Sequence, residues 1–292
     1  MKLIKPSFKI WNQPAGLEGV YKQIEKVGRV CYKSEDKMTE DSAKPFVERM
    51  TKSGHGAMLE HGTVYLDMPN SAGDYNLVPF FASNPYSRVV IKPLDDIVHN
   101  YITTNFRVII ENFAEEYIPD ILQYLCEPTE FHEKRITVHF VCDRGVSHEF
   151  VRHRVMSFAQ ESTRYCNYSK DKFGNEITFI KPCFLDDSKL ALYGPYHTVI
   201  RDKSPESIFI ASLNNAEKDY IDLIDLGWKP QEARAVLPNA LKTELVVTGF
   251  VSDWNHFFDL RARGTTGAPH PQAKELAEPL MKEFIARKYI NN

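Results

Sequence analysis

Cysteine is scarce. The chain has 5 in 292 residues, at positions 31, 126, 142, 166 and 183, with no CxxC pair. An odd, scattered set excludes a disulfide framework and a thiolate zinc site, and it suits reduced thiols in the cytoplasm. Long hydrophobic runs are missing as well. No stretch approaches the ~18 apolar residues of a membrane span, and the opening MKLIKPSFKI has no apolar signal segment. Charge of one sign is lacking: 36 Lys and Arg face 39 Asp and Glu, a net of −3. Nothing therefore draws the whole molecule to nucleic acid or to an anionic membrane, and a polyanion site must be a local patch. No repeat, low-complexity tract or linker divides the chain, so a single domain over 1–292 is expected.

What is present is an ordinary globular mixture, 43% hydrophobic and 12% aromatic. Leu17, Val20, Tyr21, Ile24 and Val27 recur at three and four, which predicts a helix over 14–33. A second helix fits 41–52, with Asp41 or Ser42 as its cap and Gly54 past its end. Val64, Leu66 and Met68 alternate as in a strand, and residues 69–85, rich in Pro, Asn, Ser and Gly, predict a long loop. A short strand fits 87–92, and 95–125 reads as helix broken at Pro119. Ile136, Val138 and Phe140 mark a strand over 134–142, after which Asp143, Gly145 or Ser147 caps a helix over about 146–154. Residues 172–175 predict a turn and 177–180 a strand. A long amphipathic helix covers 205–226, closed by Gly227, and a short one runs from Pro230 to Val236. Residues 241–248 suit strand or helix, a helix from Ser252 carries Trp254, Phe257, Phe258 and Arg261, and a last helix covers 272–288.

Chemistry concentrates between His148 and Ser169, in HEFVRHRVMSFAQESTRYCNYS. Guanidinium forks suit phosphate and carboxylate. Arg152, His153, Arg154 and Arg164 with nearby hydroxyls look like a cradle for a phosphorylated ligand. The plain alternative is a solvated basic face. The apolar flanks Phe150, Val151, Val155, Met156 and Phe158 argue for a half-buried run whose charges need partners. Zinc is not expected. His148-Glu149 and His153 are one residue too far apart for HExxH, because five residues turn a helix through about 500°. Arg261, in register with an apolar stripe, either snorkels or meets a buried anion.

These residues match a known pattern. Arg152-His153-Arg154, seven residues and Ser162 resemble the RHR-x7-S signature of the flavin-dependent thymidylate synthases, with Ser157, Arg164 and Tyr165 in place. Glu60-His61 looks like the family's upstream Glu-His element and Arg234-Ala-Val-Leu-Pro238 like its Arg-x-x-Leu-Pro element. Arg261 falls at the spacing of its catalytic Arg. The matching segments are about 14–68, 134–185 and 205–288, leaving 69–133 as an extra segment. The resemblance implies an α/β (α+β) fold, a mixed central sheet flanked by helices, and a homotetramer whose sites combine several chains. It implies reductive methylation of dUMP to dTMP, with methylenetetrahydrofolate as carbon donor, FAD carrying hydride and NADPH as reductant. It places His61, Thr63, Arg152, His153 and Arg154 on FAD, with Arg152 also near dUMP. It places Ser162, Thr163, Arg164 and Arg234 on dUMP, and Arg261 at the uracil edge, favouring ionisation at N3.

The chain departs from the pattern at several positions. Ala159-Gln160 replaces Asn-Glu, so Gln160 faces both ligands with an acceptor but no charge. Glu149 stands where a dUMP-side Gln is usual, and it either repels the phosphate, pairs with Arg152 one turn on, or bonds a ribose hydroxyl. Phe250 and His256 replace flavin-contact Asn residues; His256 keeps a hydrogen-bonding ring, whereas Phe250 can pack or offer backbone. Cys183 is read as structural, because flavin redox chemistry needs no cysteine nucleophile. Two other classes remain. One is a nucleotide- or RNA-binding module, with steeply salt-dependent binding and no need of Arg261. The other is a flavin-binding homologue without turnover.

Overall fold

The computed structural model describes residues 1–70, 77–94, 97–170, 173–186, 188 and 204–291. In chain order, β1 (Lys2–Ile4) and β2 (Ser7–Trp11) precede α1 (Gly16–Tyr32), α2 (Ala43–Lys52) and α3 (Gly56–Leu59). Then come β3 (Thr63–Pro69), α4 (Leu77–Ser83), β4 (Arg88–Leu94), β5 (Ile97–Asn105), α5 (Phe106–Asn112) and α6 (Ile118–Leu122). The signature region holds β6 (Arg135–Asp143), α7 (Arg144–Phe150), β7 (Ser157–Gln160) and β8 (Thr178–Ile180). The chain closes with α8 (Pro205–Asp225), α9 (Pro230–Ala233), β9 (Lys242–Phe250), α10 (Val251–Phe258) and α11 (Pro271–Ala286).

The fold is mixed α/β, as expected. The central sheet runs β2-β6-β9-β7 and every neighbouring pair in it is antiparallel. A parallel pairing joins β1 to β8 in a small separate sheet. β9, readable as strand or helix, is a strand between β6 and β7, and its run of buried Leu245, Val246 and Val247 shows both its faces covered. One face of this sheet packs on α10 and α11 through Phe140, Phe150, Trp254, Phe257, Phe258 and Phe284. Each such ring contributes about 1.5–3 kcal/mol by burial. A second core gathers α1, α2 and the β3-β5-β4 sheet. α1 and α2 approach closely at Gly28, where a Cβ would lie 2.5 Å from the Phe46 ring.

Several expectations need correction. Ser42 precedes α2 but does not cap it; its hydroxyl donates to Glu25 Oε2 at 2.8 Å. The expected loop over 69–85 contains α4, while residues 71–76 of it lie outside the described residues. The expected helix over 95–125 instead begins as β5, paired on both sides by β3 and β4. Consecutive burial from Asn100 to Asn105, with Thr103 and Thr104 branched at Cβ, suits a sheet interior better than a helix face. In the expected turn, residue 172 lies outside the described residues, and Gly174 and Asn175 turn the chain with φ of 72° and 54°. No helix among the described residues is long and apolar enough to cross a membrane, and none of the 5 cysteines forms a disulfide.

Candidate active site

The site is built on α7. Asp143 ends β6 and caps this helix: its Oδ1 accepts from Val146 N at 2.7 Å, and Oδ2 accepts from Gln272 Nε2 of α11 at 2.8 Å. The helix stops at Phe150, not at 154. Phe150 and Met156 are both buried, so the chain between them must turn tightly, and Val155 takes φ 75° to do it. A β-branched residue in the left-handed region is an outlier. The turn separates the triplet. His153 points inward and is buried, while Arg152 and Arg154 are exposed.

Arg261 reaches the same place from the other side of the chain. After α10 the backbone widens into a π-helical turn, Asp259–Arg263. Arg261 Nη1 donates to Glu149 Oε2 at 2.7 Å, Nη2 to the Glu149 carbonyl at 2.9 Å, and Nε to His153 Nε2 at 3.1 Å. Of the two readings of Arg261 the anion is the one found, and it is the half-buried Glu149, which pairs with Arg261 rather than with Arg152. Burial first, then the charges of Arg261 and His256, push the His153 imidazole down to about 4, so it is neutral and accepts at Nε2. The exposed His256 ring lies 5.9 Å from it.

A cleft of about 290 Å³ lies along α7 and is lined by Arg144, His148, Thr163, Arg234, Pro238 and Asn239. Arg234 Nη1 donates to Thr163 Oγ1 at 3.1 Å, leaving its other donors for a ligand. Arg164 Nε donates to Gln231 Oε1 at 3.2 Å, and Arg164 N to Ser162 Oγ at 3.3 Å. Arg144 was not singled out in the sequence, and His148 was weighed there only as a zinc ligand. Their signal is i,i+4 spacing on one face of α7. Gln160 bridges the elements instead of standing free: its Nε2 donates to Ser147 Oγ at 2.8 Å and Thr243 Oγ1 at 3.1 Å.

His61 and Thr63 sit in another neighbourhood. His61 is wholly buried, with Nδ1 2.8 Å from Thr248 Oγ1, and burial followed by the nearby Arg135 charge pushes its ring down to about 3. Thr63 Oγ1 accepts from Arg135 Nη1 at 3.3 Å. Arg135 went unnoticed in the sequence. It is a buried guanidinium, brought down to about 10 by burial, that also bonds the Glu60 carbonyl and Ser157 Oγ. Phe250 packs, as one of its two options: its ring lies 5.5 Å from Arg135 and 4.3 Å from Arg88. Cys183 is exposed.

The donor set suits phosphorylated ligands. Arg154 makes no hydrogen bond among the described residues, and the recorded bond of Arg152 uses only Nε, to the His148 carbonyl at 3.2 Å. Exposed guanidiniums on either side of a neutral histidine can grip a pyrophosphate, and the Arg144–Arg234 cleft a single phosphate. The donors present thus fit both a dinucleotide cofactor and a nucleotide.

Comparison with known proteins agrees in kind. The family model described as Thymidylate synthase complementing protein, Thy1, matches residues 87–287, more than half of the chain. A flavin-dependent thymidylate synthase of Pyrococcus furiosus is 29% identical over 210 residues, 72% of this chain and 78% of the relative. One from Pyrococcus horikoshii is 28% identical over 210 residues, 72% of this chain and 79% of the relative. A solved UMP/dUMP methylase, PolB from Streptomyces cacaoi bound with 5-Br dUMP, aligns over 98% of this chain and 93% of its own at 18% identity and TM-score 0.43.

Proposed function

Because the chain belongs to the Thy1 family, thymidylate synthase complementing protein, we propose that it reductively methylates dUMP to dTMP as a flavin-dependent thymidylate synthase. The observation that carries this reading is the convergence of Arg261, Glu149 and His153 beside the outward guanidiniums of Arg152 and Arg154. Arg234 and Arg144 take the dUMP phosphate in their cleft, with Ser162, Thr163 and Arg164 along its edge. Arg261 exchanges its contact with Glu149 for the uracil edge. A guanidinium cannot release its proton, so it serves by stabilising negative charge developing on the pyrimidine. Neutral His153 keeps the Arg261 fork oriented. Arg152, Arg154 and His256 would hold FAD, which supplies hydride when bound, with NADPH as reductant and methylenetetrahydrofolate as carbon donor. The working unit is a homotetramer in the cytoplasm.

An absorbance spectrum tests this directly. Purified protein should show flavin bands, lose them on addition of NADPH, and form dTMP once dUMP and methylenetetrahydrofolate are present. A colourless protein that takes up no flavin on reconstitution would sink the reading. Flavin uptake without dTMP would leave the binding homologue without turnover.

A further inference from the structure

Glu161 stands between Gln160 and Ser162, and nothing in the proposed chemistry uses it. Its side chain is 1% exposed, yet it is a carboxylate. Oε2 accepts from Lys242 Nζ at 2.7 Å and Oε1 from Tyr168 OH at 3.2 Å. Lys242 Nζ also reaches Glu244 Oε1 at 2.5 Å, and Lys33 Nζ reaches the same oxygen at 2.5 Å. His139 Nε2 lies 2.8 Å from Glu244 Oε2, and its ring stacks on Trp11 at 4.8 Å. This ion chain joins the end of α1, β6, β9 and the segment that follows β7. Lys33 Nζ also reaches Glu35 Oε1 at 3.2 Å, so two lysines are shared among three glutamates. Burial alone would raise the Glu244 carboxyl, but the bonds from His139, Lys242 and Lys33 hold it well below the ordinary carboxylate range.

Buried ion chains stabilise poorly, because desolvation offsets their attraction; an apolar replacement of similar volume often does as well. What they add is direction. β7 is a four-residue strand at the sheet edge, paired with β9 alone, so few ladder bonds hold the segment that follows it. It leads straight into the residues expected to meet the nucleotide. Beyond its last strand pair the backbone is held where Glu161 N donates to the Glu244 carbonyl at 2.8 Å and Ser162 N to the Cys31 carbonyl at 3.0 Å. The Glu161 side chain ties to Lys242, two residues before Glu244 on the same strand.

We propose that Glu161, through Lys242, Glu244 and Lys33, is a positioning residue that fixes the register of Gln160 to Thr163 for nucleotide binding, and that the fold does not depend on it. The proposal rests on the reading of this segment as a dUMP site. The test uses the full-length protein with three variants, Glu161→Leu, Glu161→Gln and the double Glu161→Leu/Lys242→Met. Melting temperature, dUMP affinity by calorimetry, and hydrogen exchange at residues 160–163 are measured for each. Glu161→Leu should lower the melting temperature, since it strands part of the Lys242 charge, and weaken dUMP binding ~10-fold, in line with misplacement by a fraction of an ångström. Glu161→Gln, which keeps the acceptor, should bind most like wild type. The double variant should recover the melting temperature but neither the affinity nor slow exchange at 160–163. Recovery of all three, or a melting loss with wild-type affinity in Glu161→Leu, would overturn the proposal. Wild-type protein that binds no dUMP would instead refute the functional reading, and the exchange rates would still decide the positioning role.

Discussion

Removal of the Arg261 guanidinium should separate catalysis from stability. In Arg261→Ala the bonds to Glu149 Oε2, the Glu149 carbonyl and His153 Nε2 all vanish. The Glu149 side chain is 30% exposed, so water can solvate the carboxylate that is left behind. The stability cost should therefore be about 1–2 kcal/mol, below that of a fully buried broken pair. The cost to turnover is of another order. If Arg261 faces charge developing on the pyrimidine, its loss should lower turnover on the order of 10²–10³-fold, as for removal of one preorganised donor. FAD content should hold, because Arg152 and Arg154 do not contact Arg261. The assay is dTMP formation at saturating dUMP, with flavin absorbance and a thermal melt on the same sample. Arg261→Lys is the control: it keeps the charge but offers a single nitrogen to acceptors that now meet a fork, and should fall between. Turnover close to wild type in Arg261→Ala would refute the role. So would a loss of activity that tracks loss of flavin or fold.

Other perturbations probe separate parts of the site. Arg144→Ala should weaken dUMP binding about 10–100-fold by loss of a charged phosphate contact, with flavin retained, whereas Arg154→Ala should release flavin and leave dUMP binding in place; titration of each ligand on both variants checks the division, and identical profiles would contradict it. Val155→Asn should raise stability by about 1 kcal/mol, because asparagine tolerates the left-handed conformation that valine strains to adopt; a lower melting temperature would show that the valine side chain matters more than the strain. His61 is held neutral to about pH 3, whereas an unfolded histidine takes its proton near 6.5. The unfolded state thus binds more protons in that window, and stability is lost as pH falls through it, by about 2–3 kcal/mol between pH 7 and pH 4.5. Denaturation of His61→Gln should show a flatter acid limb, and an unchanged limb would place the titration elsewhere.

The parts of the site that were legible in the sequence are those where chemistry is local. Arg152, His153 and Arg154 are contiguous, and Arg261 betrays itself as a charge at the end of an apolar stripe. What they bond to was less legible. Glu149 and Arg261 lie 112 positions apart, so no local pattern announces their pairing. Arg135 was missed because, at the start of a strand, an arginine reads as a solvent-facing end; burial depends on β3 folding over it. The same limit explains β5. Its segment carries apolar residues at spacings of three and four, the helical signature, yet it is the central strand between β3 and β4, and burial of every residue from 100 to 105 shows both its faces covered. A strand covered on both sides shows no alternation to read, and only its branched threonines argue against helix.

The π-helical turn gives Arg261 its reach. In an uninterrupted α-helix, position 261 would continue the face of Phe257 and Phe258, which is packed against Phe150 and Phe284. A guanidinium there would be driven into an aromatic core with no acceptor, at a cost of several kcal/mol. The wider turn over Asp259–Arg263 lets Ala262 take the buried place while Arg261 swings to Glu149 and His153. Inserted π turns are often found at functional sites, and here the reason is steric. The stripe that builds the core would otherwise own the position that the chemistry needs. α7 solves the matching problem from its side. It ends before Arg152, with Arg144 and His148 lining the Arg234 cleft while Glu149 and His153 meet Arg261. A longer α7, continued regularly to residue 154, would stack Arg152 on the face of Arg144 and His148, four residues beyond the latter, while His153 stayed on the face of Glu149.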